Sequence, residues 1–516
     1  MASQILKTKA CHGCRARKVR CNRKTPCTNC ERWSIDCSYP TPIRRCKRLP
    51  KKALFDDQIP SKSQIEGIDE VTSPDISTIP VSISCTVRRP GQLDEQNNVF
   101  GDHHRIYFGF LKGHWSESGQ AIWGTIWRIF MERVDPIVKI LHSPSVEAMI
   151  TKSALQQDAI SASQRALVSA ISFASLASMS EREAQSSFCT ERQTALAVYR
   201  VSTEQELART VLLDVNEDFM ALQALILFLT VSRMLGDVEV AWRLTGLAKR
   251  SGILHKSDLS PFESELQKRM AWNLWYLDHR AAKDHGQDDG VPGMPSIKQP
   301  TNINDSEFDP GSDILSNPSP GWTEQTFSLV RFDIGLTRSR LTENLSLNQK
   351  RQKIEECQEH ITEKYIRHCT DDKDPMQWLT RHVSYVLIME MWFELYSADT
   401  IPISLEPGIA VYHEQHTQDE LFLQAIDIVD TSTRLHMEPL SRRWRWLLQG
   451  YQQFRPLAFL INELLYRRSC PAVSHAWKVV EKSLDQQPGQ IRDSANGKAL
   501  DMLRAKAKHI QDRMVN

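Results

Sequence analysis

No stretch of this 516-residue sequence is apolar and uncharged long enough to cross a bilayer. The two best stretches, at residues 166–180 and 219–231, fall short of the ~18–20 residues that a span requires. They read as buried helices. The first residues, Met1-Ala-Ser-Gln-Ile-Leu-Lys7, lack the apolar run of about 7–15 residues that marks a secretory leader. The expectation is an intracellular chain with no membrane partner, in a reducing compartment where grouped cysteines favour metal over disulfides. Signatures of catalysis are missing too: there is no P-loop, no G-x-G-x-x-G, no G-x-S-x-G and no H-E-x-x-H. His413-Glu-Gln-His416 is one residue short of zinc-protease spacing, and His103, His104, His279 and His285 are scattered. These histidines read as surface or hydrogen-bonded groups. Asp278, Arg280 and Asp284 read as members of an ion-pair network, and Trp272, Trp275, Trp378 and Trp392 as core. No enzyme is expected.

Net charge is also scarce, at +1 overall, but the near-zero value hides an asymmetry. Residues 1–52 hold 15 lysines and arginines and only two acids, Glu31 and Asp36, a balance of +13. The rest of the chain carries 49 bases and 61 acids, a balance of −12. A short, strongly basic end points to a polyanionic partner.

Within that basic end, the 27 positions from Cys11 to Cys37 hold half of the 12 cysteines. Their spacing is Cys11-x2-Cys14-x6-Cys21-x5-Cys27-x2-Cys30-x6-Cys37, one C-x2-C-x6-C unit used twice. A C-x2-C pair is a zinc-ligand spacing, and a structural zinc takes four tetrahedral ligands. One zinc would strand two thiols, and two separate zincs would need eight ligands. Six thiolates suffice for two zinc ions if two of them bridge. The internal pseudo-symmetry nominates equivalent positions of the two units, Cys11 and Cys27. His12 is a formal alternative ligand, less well placed than the cysteines that flank it.

The two units share a metal spacing but not a filling. The first x6 is Arg15-Ala-Arg17-Lys18-Val-Arg20, with four bases; the second is Glu31-Arg-Trp-Ser-Ile-Asp36, nearly neutral. A zinc scaffold made only for stability or protein contact has no need of that difference. A DNA reader does, because one half enters the groove while the other buttresses it. Six thiolates and two zincs leave the cluster itself at −2, so the nucleic-acid face is expected where the bases project. A short helix from about residue 14 to 20 would place Arg17, Lys18 and Arg20 near its end. So small a module cannot fill its own core, and zinc is expected to supply its folding energy, roughly 10–16 kcal/mol in zinc-finger peptides.

The six cysteines, the basic segment Cys14-Arg-Ala-Arg-Lys-Val-Arg-Cys21 and Pro26 before the fourth cysteine resemble the fungal zinc binuclear cluster domain. The resemblance implies two zincs with the first and fourth cysteines bridging, and double-stranded DNA with CGG-type triplets as the partner. It implies that Arg17 and Lys18 read the triplet, since Arg and Lys donate to guanine O6 and N7 in the major groove. Arg15, Arg20, Arg23 and Lys24 are assigned to phosphates, which position the module without specifying sequence. A second basic run, Arg44-Arg45-Cys46-Lys47-Arg48-Leu-Pro-Lys51-Lys52, reads as a nuclear import signal, extra phosphate contacts, or both. Cys46 is not needed as a ligand.

Residues 53–102 turn polar, acidic and proline-punctuated, with Asp56, Asp57, Pro60, Pro74, Pro80 and Pro90. They are expected to form a disordered linker. No sustained heptads follow the cluster, so a homodimer remains an open partner without a coiled coil there to support it, and half-site spacing stays open. From residue 103 to the end, apolar residues recur at helical spacing, notably at 123–130, 166–179, 219–235 and 240–254. Ser260-Pro-Phe-Glu263 is a capping box, followed by Leu266, Met270, Leu274, Leu277 and Ala281 on one face. No strand alternation of similar strength is present. The fold class is therefore mainly α: a small two-zinc module (1–52, core 11–37), a flexible linker (53–102) and a large all-α domain (103–516).

Tyr107-Phe-Gly109, Val134-Asp-Pro-Ile-Val-Lys-Ile-Leu-His142, and Ser260–Glu265 through Leu277-Asp-His-Arg-Ala-Ala-Lys-Asp-His-Gly286 are similar to the fungal-specific regulatory domain, or middle homology region, over about 105–400. That resemblance implies regulation of transcriptional output. The combined reading is a nuclear, DNA-binding transcription regulator for RNA polymerase II, activator rather than repressor, working with the transcription machinery. Control of a secondary-metabolite gene cluster is implied by resemblance alone. Two other readings are a scaffold whose zinc module binds protein and a regulator with a metabolite pocket among its helices.

Overall fold

The computed structural model describes residues 14, 20–22, 24, 26–32, 117–156, 160–188, 191–210, 219–284, 294–342, 344–397, 418–448, 453–487, 492 and 495–515. Among them there are helices, short 3-10 turns and no strand, as the sequence pattern implies. No helix among the described residues is long and apolar enough to cross a membrane. The short helix α1 (Thr28–Arg32) belongs to the cysteine region. Then come α2 (Glu117–Arg133), α3 (Ser143–Gln156), α4 (Ala162–Ala177), α5 (Glu181–Phe188), α6 (Arg192–Ala208), α7 (Phe219–Met234), α8 (Val238–Ala248) and α9 (Pro261–Asp284). The remainder are α10 (Thr326–Arg340), α11 (Leu347–Lys364), α12 (Pro375–Ser397), α13 (Gln418–Met437), α14 (Arg445–Leu448), α15 (Phe454–Leu464), α16 (Pro471–Asp485) and α17 (Ala495–Val515).

The centre of the main core is α4. Every residue from Ala166 to Ala177 is buried, so this helix is enclosed all round by α2, α6 and α7. Its small residues let the neighbours approach, and its buried hydroxyls cost little because backbone carbonyls accept them. Ser172 Oγ donates to Val168 O at 2.7 Å, and Ser175 Oγ donates to Ile171 O at 2.8 Å and across to Ile126 O of α2 at 3.1 Å. The helix starts at a capping box in which Ser161 Oγ accepts from Gln164 N while Gln164 Oε1 accepts from Ser161 N. Helix α7 is equally apolar. It stops where Gly236 takes φ 97°, a left-handed value that glycine adopts without a Cβ penalty. The Asp237 N–H then reaches back to Ser232 O at 3.0 Å, closing the turn that lays α8 along α7.

Helix α9 begins as the sequence implies. Ser260 N donates to Glu263 Oε2 at 2.9 Å and Glu263 N to Ser260 Oγ at 3.2 Å. Leu266, Met270, Leu274, Leu277 and Ala281 are all buried. Two expectations change. The apolar pattern at 240–254 is not one helix: α8 ends at Ala248, and a 3-10 turn at Gly252–His255 follows, with Ser251 buried between them. Trp272, Trp275 and Trp378 are core, but Trp392 is only half-buried, donating to Gln358 Oε1 at 3.2 Å and stacking on Tyr396. A second, smaller core joins Phe393 of α12 to α13, α15, α16 and α17. Helix α12 thus serves both cores, through Leu387 and Met391 on one and Phe393 on the other.

Candidate zinc cluster and nucleic-acid interface

In the cysteine region the chain has few apolar groups, and side-chain amides organise it. Asn22 Oδ1 accepts the backbone N–H of Thr28 at 3.2 Å and of Lys24 at 3.4 Å, and its Nδ2 donates to Thr28 Oγ1. Asn29 Nδ2 donates to the Arg20 carbonyl at 2.8 Å, which ties the end of the first unit to the helix of the second. Cys27 precedes α1 as its cap: its carbonyl accepts Glu31 N at 2.9 Å and its Sγ accepts Cys30 N at 3.4 Å. Sequence reasoning missed Asn22 and Asn29. The available signal was asparagine's habit of bonding nearby backbone in turns.

These bonds bring three sulfurs together. Cys14, Cys27 and Cys30 are fully buried, with their Sγ atoms within 4.8 Å of one another, and half-buried Cys21 packs against them. Cys14 Sγ and Cys27 Sγ are 3.4 Å apart. Zn–S bonds of about 2.3 Å in a tetrahedron set sulfurs roughly 3.8 Å apart. The donor set and its closeness therefore fit zinc. Cys27 is the fourth cysteine and Cys14 the second, so this contact crosses from one unit to the other. Arg20 and Lys24 are exposed, as are Glu31 and Arg32 of α1. Cys11, Cys37, Arg15, Arg17, Lys18 and Arg23 lie outside the described residues, as does the basic run Arg44, Arg45, Lys47, Arg48, Lys51 and Lys52.

In the helical domain, the segment Val134–His142 forms half of a buried charge cluster. Lys139 is fully buried, and its Nζ lies 2.6 Å from Asp135 Oδ2, 2.8 Å from Asp305 Oδ2 and 3.0 Å from Glu324 Oε2. Arg269 of α9, also fully buried, donates to Asp305 Oδ1 at 2.7 Å and Leu141 O at 2.9 Å, and lies over the Phe308 ring. Ser143 N donates to Asp305 Oδ2, and His142 Nε2 donates to Asp305 O and Phe308 O. Burial alone would raise the Asp305 carboxyl, but Arg269 and Lys139 outweigh it and hold it below the usual range. Asp135 has a single cation, shared with two other carboxylates, and burial pushes it up. The cluster fastens residues 301–308 to α9 and to the 134–143 segment. The dispersed candidates stay apart: His279 stacks on Trp275, and Asp278 pairs with Lys249 of α8 at 2.9 Å. His103, His104, His285, His413 and His416 lie outside the described residues, as does Tyr107–Gly109.

A model of the fungal Zn(2)-Cys(6) binuclear cluster domain matches residues 9–46, and one of the fungal specific transcription factor domain matches residues 127–288. The chain therefore carries a C6 zinc-cluster domain followed by a fungal transcription factor domain. The second match is narrower than the resemblance, which extends over about 105–400. It includes Asp135, Lys139, His142 and Arg269 but stops before Asp305, which bonds the last three. Among relatives, the aurofusarin cluster transcription factor aurR2 of Gibberella zeae is 26% identical, over 96% of this chain and 78% of that protein. The C6 finger domain transcription factor nscR of Arthroderma benhamiae is 24% identical, over 71% of this chain and 53% of its own. The pyriculol/pyriculariol biosynthesis cluster transcription factor 1 of Pyricularia oryzae is 24% identical, over 72% and 52%. The chain thus spans most of the first relative and about half the length of the other two.

Proposed function

We propose that this chain is a C6 zinc-cluster transcription factor: a nuclear activator of RNA polymerase II transcription that reads CGG-type DNA, has no enzymatic activity, and controls a secondary-metabolite gene cluster. The observation that carries the reading is the cross-unit approach of Cys14 and Cys27 inside the match at 9–46. Each unit supplies three thiolates, so a zinc completes four ligands only by borrowing one from the other unit. Cys11, Cys14, Cys21 and the shared Cys27 hold one ion; Cys27, Cys30, Cys37 and the shared Cys11 hold the other. Bound zinc supplies the folding free energy of the module. Cys30 N–H helps to hold the Cys27 thiolate, and Asn29 fixes the chain at Arg20, where the first basic segment ends.

Arg17 and Lys18 donate to the guanines, and Arg15, Arg20, Arg23 and Lys24 bond phosphates. Arg44, Arg45, Lys47, Arg48, Lys51 and Lys52 serve nuclear import and add phosphate contacts. Residues 1–52 act as the DNA module, 53–102 as a linker, and 103–516 as the helical regulatory body that faces the transcription machinery. The similarity to regulators of the aurofusarin and pyriculol clusters supports a biosynthetic cluster as the target. Selection of bound sites from random DNA by the full-length protein tests the reading. Enrichment of CGG triplets is expected, and the recovered spacing reports monomer or homodimer; a pool with no enriched triplet would overturn it.

A further inference from the structure

A cleft of about 1110 Å³ lies between the C-terminal turns of α2, α4 and α7, the start of α5, helix α6 and the segment at 439–446. Its wall carries six arginines (Arg133, Arg192, Arg200, Arg442, Arg443 and Arg445) and four acids (Glu132, Glu181, Glu183 and Asp237). Most of the acids are already engaged. Arg133 holds Glu183 through two bonds at 2.8 and 3.1 Å, Arg200 pairs with Asp237, and Glu132 pairs with Arg128 outside the cleft. Glu181 accepts the Arg192 backbone N–H at 3.0 Å. Among the described residues no carboxylate forms an ion pair with Arg192, Arg442, Arg443 or Arg445. The buried Nε atoms of Arg133 and Arg192 have no hydrogen-bond partner, a condition that native interiors seldom leave unexplained. Burial also depresses the Arg192 guanidinium from its ordinary value, despite Glu181 nearby. The same cleft is also lined by Phe173, Leu196, Met234 and Trp446.

We propose that this cleft is a binding site for a small organic anion with an apolar body. The carboxylate, phenolate or sulfate of such a molecule sits among Arg192, Arg442, Arg443 and Arg445, and its aromatic or aliphatic part lies on Phe173, Leu196, Met234 and Trp446. Guanidinium forks suit planar and tetrahedral oxyanions, which they bond through two N–H groups at once. Small-molecule sites occupy about 300–1,000 Å³, so the space suits a whole molecule rather than a lone ion. The site joins α2, α4, α6 and α7, all within the matched regulatory region or overlapping it, to a segment more than a hundred residues further on. A ligand there would bind both parts at once.

The test uses the full-length, zinc-loaded chain titrated with 8-anilino-1-naphthalenesulfonate, an aromatic sulfonate that fluoresces when bound. Saturable one-to-one binding is expected. Its affinity should fall at least tenfold in the double variant R442Q/R443Q, whose side chains are exposed and whose fold is checked by far-UV circular dichroism. Arg192→Met should give a similar loss, and Arg367→Gln, an exposed arginine on the turn after α11, should give none. Inorganic sulfate should not displace the probe at equal concentration, and neutral N-phenyl-1-naphthylamine should bind at least tenfold more weakly. Unchanged affinity in R442Q/R443Q, full competition by sulfate, or equal binding of the neutral amine would each overturn the proposal. DNA binding by the zinc module is a separate readout and is not altered by any of these outcomes.

Discussion

Asp305→Ala is the substitution that most directly tests the buried charge cluster. The Asp305 carboxylate bonds the Lys139 ammonium at 2.8 Å, the Arg269 guanidinium at 2.7 Å and the Ser143 N–H at 2.9 Å. Without it, Arg269 keeps only Glu265, at 3.7 Å, as an ion-pair partner. Breaking a buried pair by removing one member costs about 3–5 kcal/mol, because the other charge stays buried and uncompensated. Unfolding entropy is about 2.1 cal/mol/K per residue, so a helical body of about 400 residues unfolds with roughly 0.8 kcal/mol/K. The Tm should therefore fall by about 4–6 °C. Glu324→Gln is the contrast. Glu324 also touches Lys139, but its side chain is 51% exposed, and an exposed pair contributes under about 1 kcal/mol, or about 1 °C. Scanning calorimetry of wild type and both variants reads the difference. An Asp305→Ala protein melting within 1 °C of wild type, or a Glu324→Gln protein losing as much, would refute the assignment of stability to burial at this cluster.

Lys18→Ala should flatten the preference among triplets in competition gel shifts, whereas Arg23→Ala should weaken every sequence equally and lower the salt slope by about 0.9; the reverse pattern would exchange their roles. Cys27→Ser should strip both zincs, counted by metal analysis of the purified chain, while Cys46→Ser should leave two. Glu183 supplies a pH test. Its carboxyl is lowered to about 2, chiefly by the Arg133 hydrogen bond against the cost of burial, with Ser180 adding to the effect. A depressed acid stabilises the fold above its unfolded value and loses that contribution as pH falls towards its folded value. The Tm difference between wild type and Glu183→Gln should therefore be constant above about pH 5 and close between about pH 4.5 and 2. A difference that persists at pH 2 would show that the pair acts through shape and not through charge.

The zinc module was legible in the sequence because its chemistry is local. Two C-x2-C pairs constrain their sulfurs within a turn, and ligand counting needs no tertiary information. Asn22 and Asn29 escaped notice because their partners, Thr28 and Arg20, become neighbours only once the loop closes. In the helical domain α9 was legible down to its cap, since Ser260 and Glu263 satisfy each other within four residues. The pattern at 240–254 misled because apolar spacing continues across Lys249–Ser251, where the backbone leaves the α-helix and Ser251 is buried. Lys139 lies in a stretch that resembles the regulatory domain, yet nothing local marks it as buried. Its partner Asp305 lies 166 residues away in a segment that reads as loop. The arginine cleft is similar, since Arg192 and Arg442 meet only in the folded chain.

The central claim is that zinc held by six cysteines makes a module that reads CGG-type DNA. A gel shift with the full-length chain on a CGG probe, with and without a chelator and then with zinc restored, tests it most directly. Binding to the CGG probe, its loss on chelation and its return with zinc, with a scrambled probe at least tenfold weaker throughout, is the expected result. Binding that survives chelation, or that treats the scrambled probe as equal, would contradict the claim.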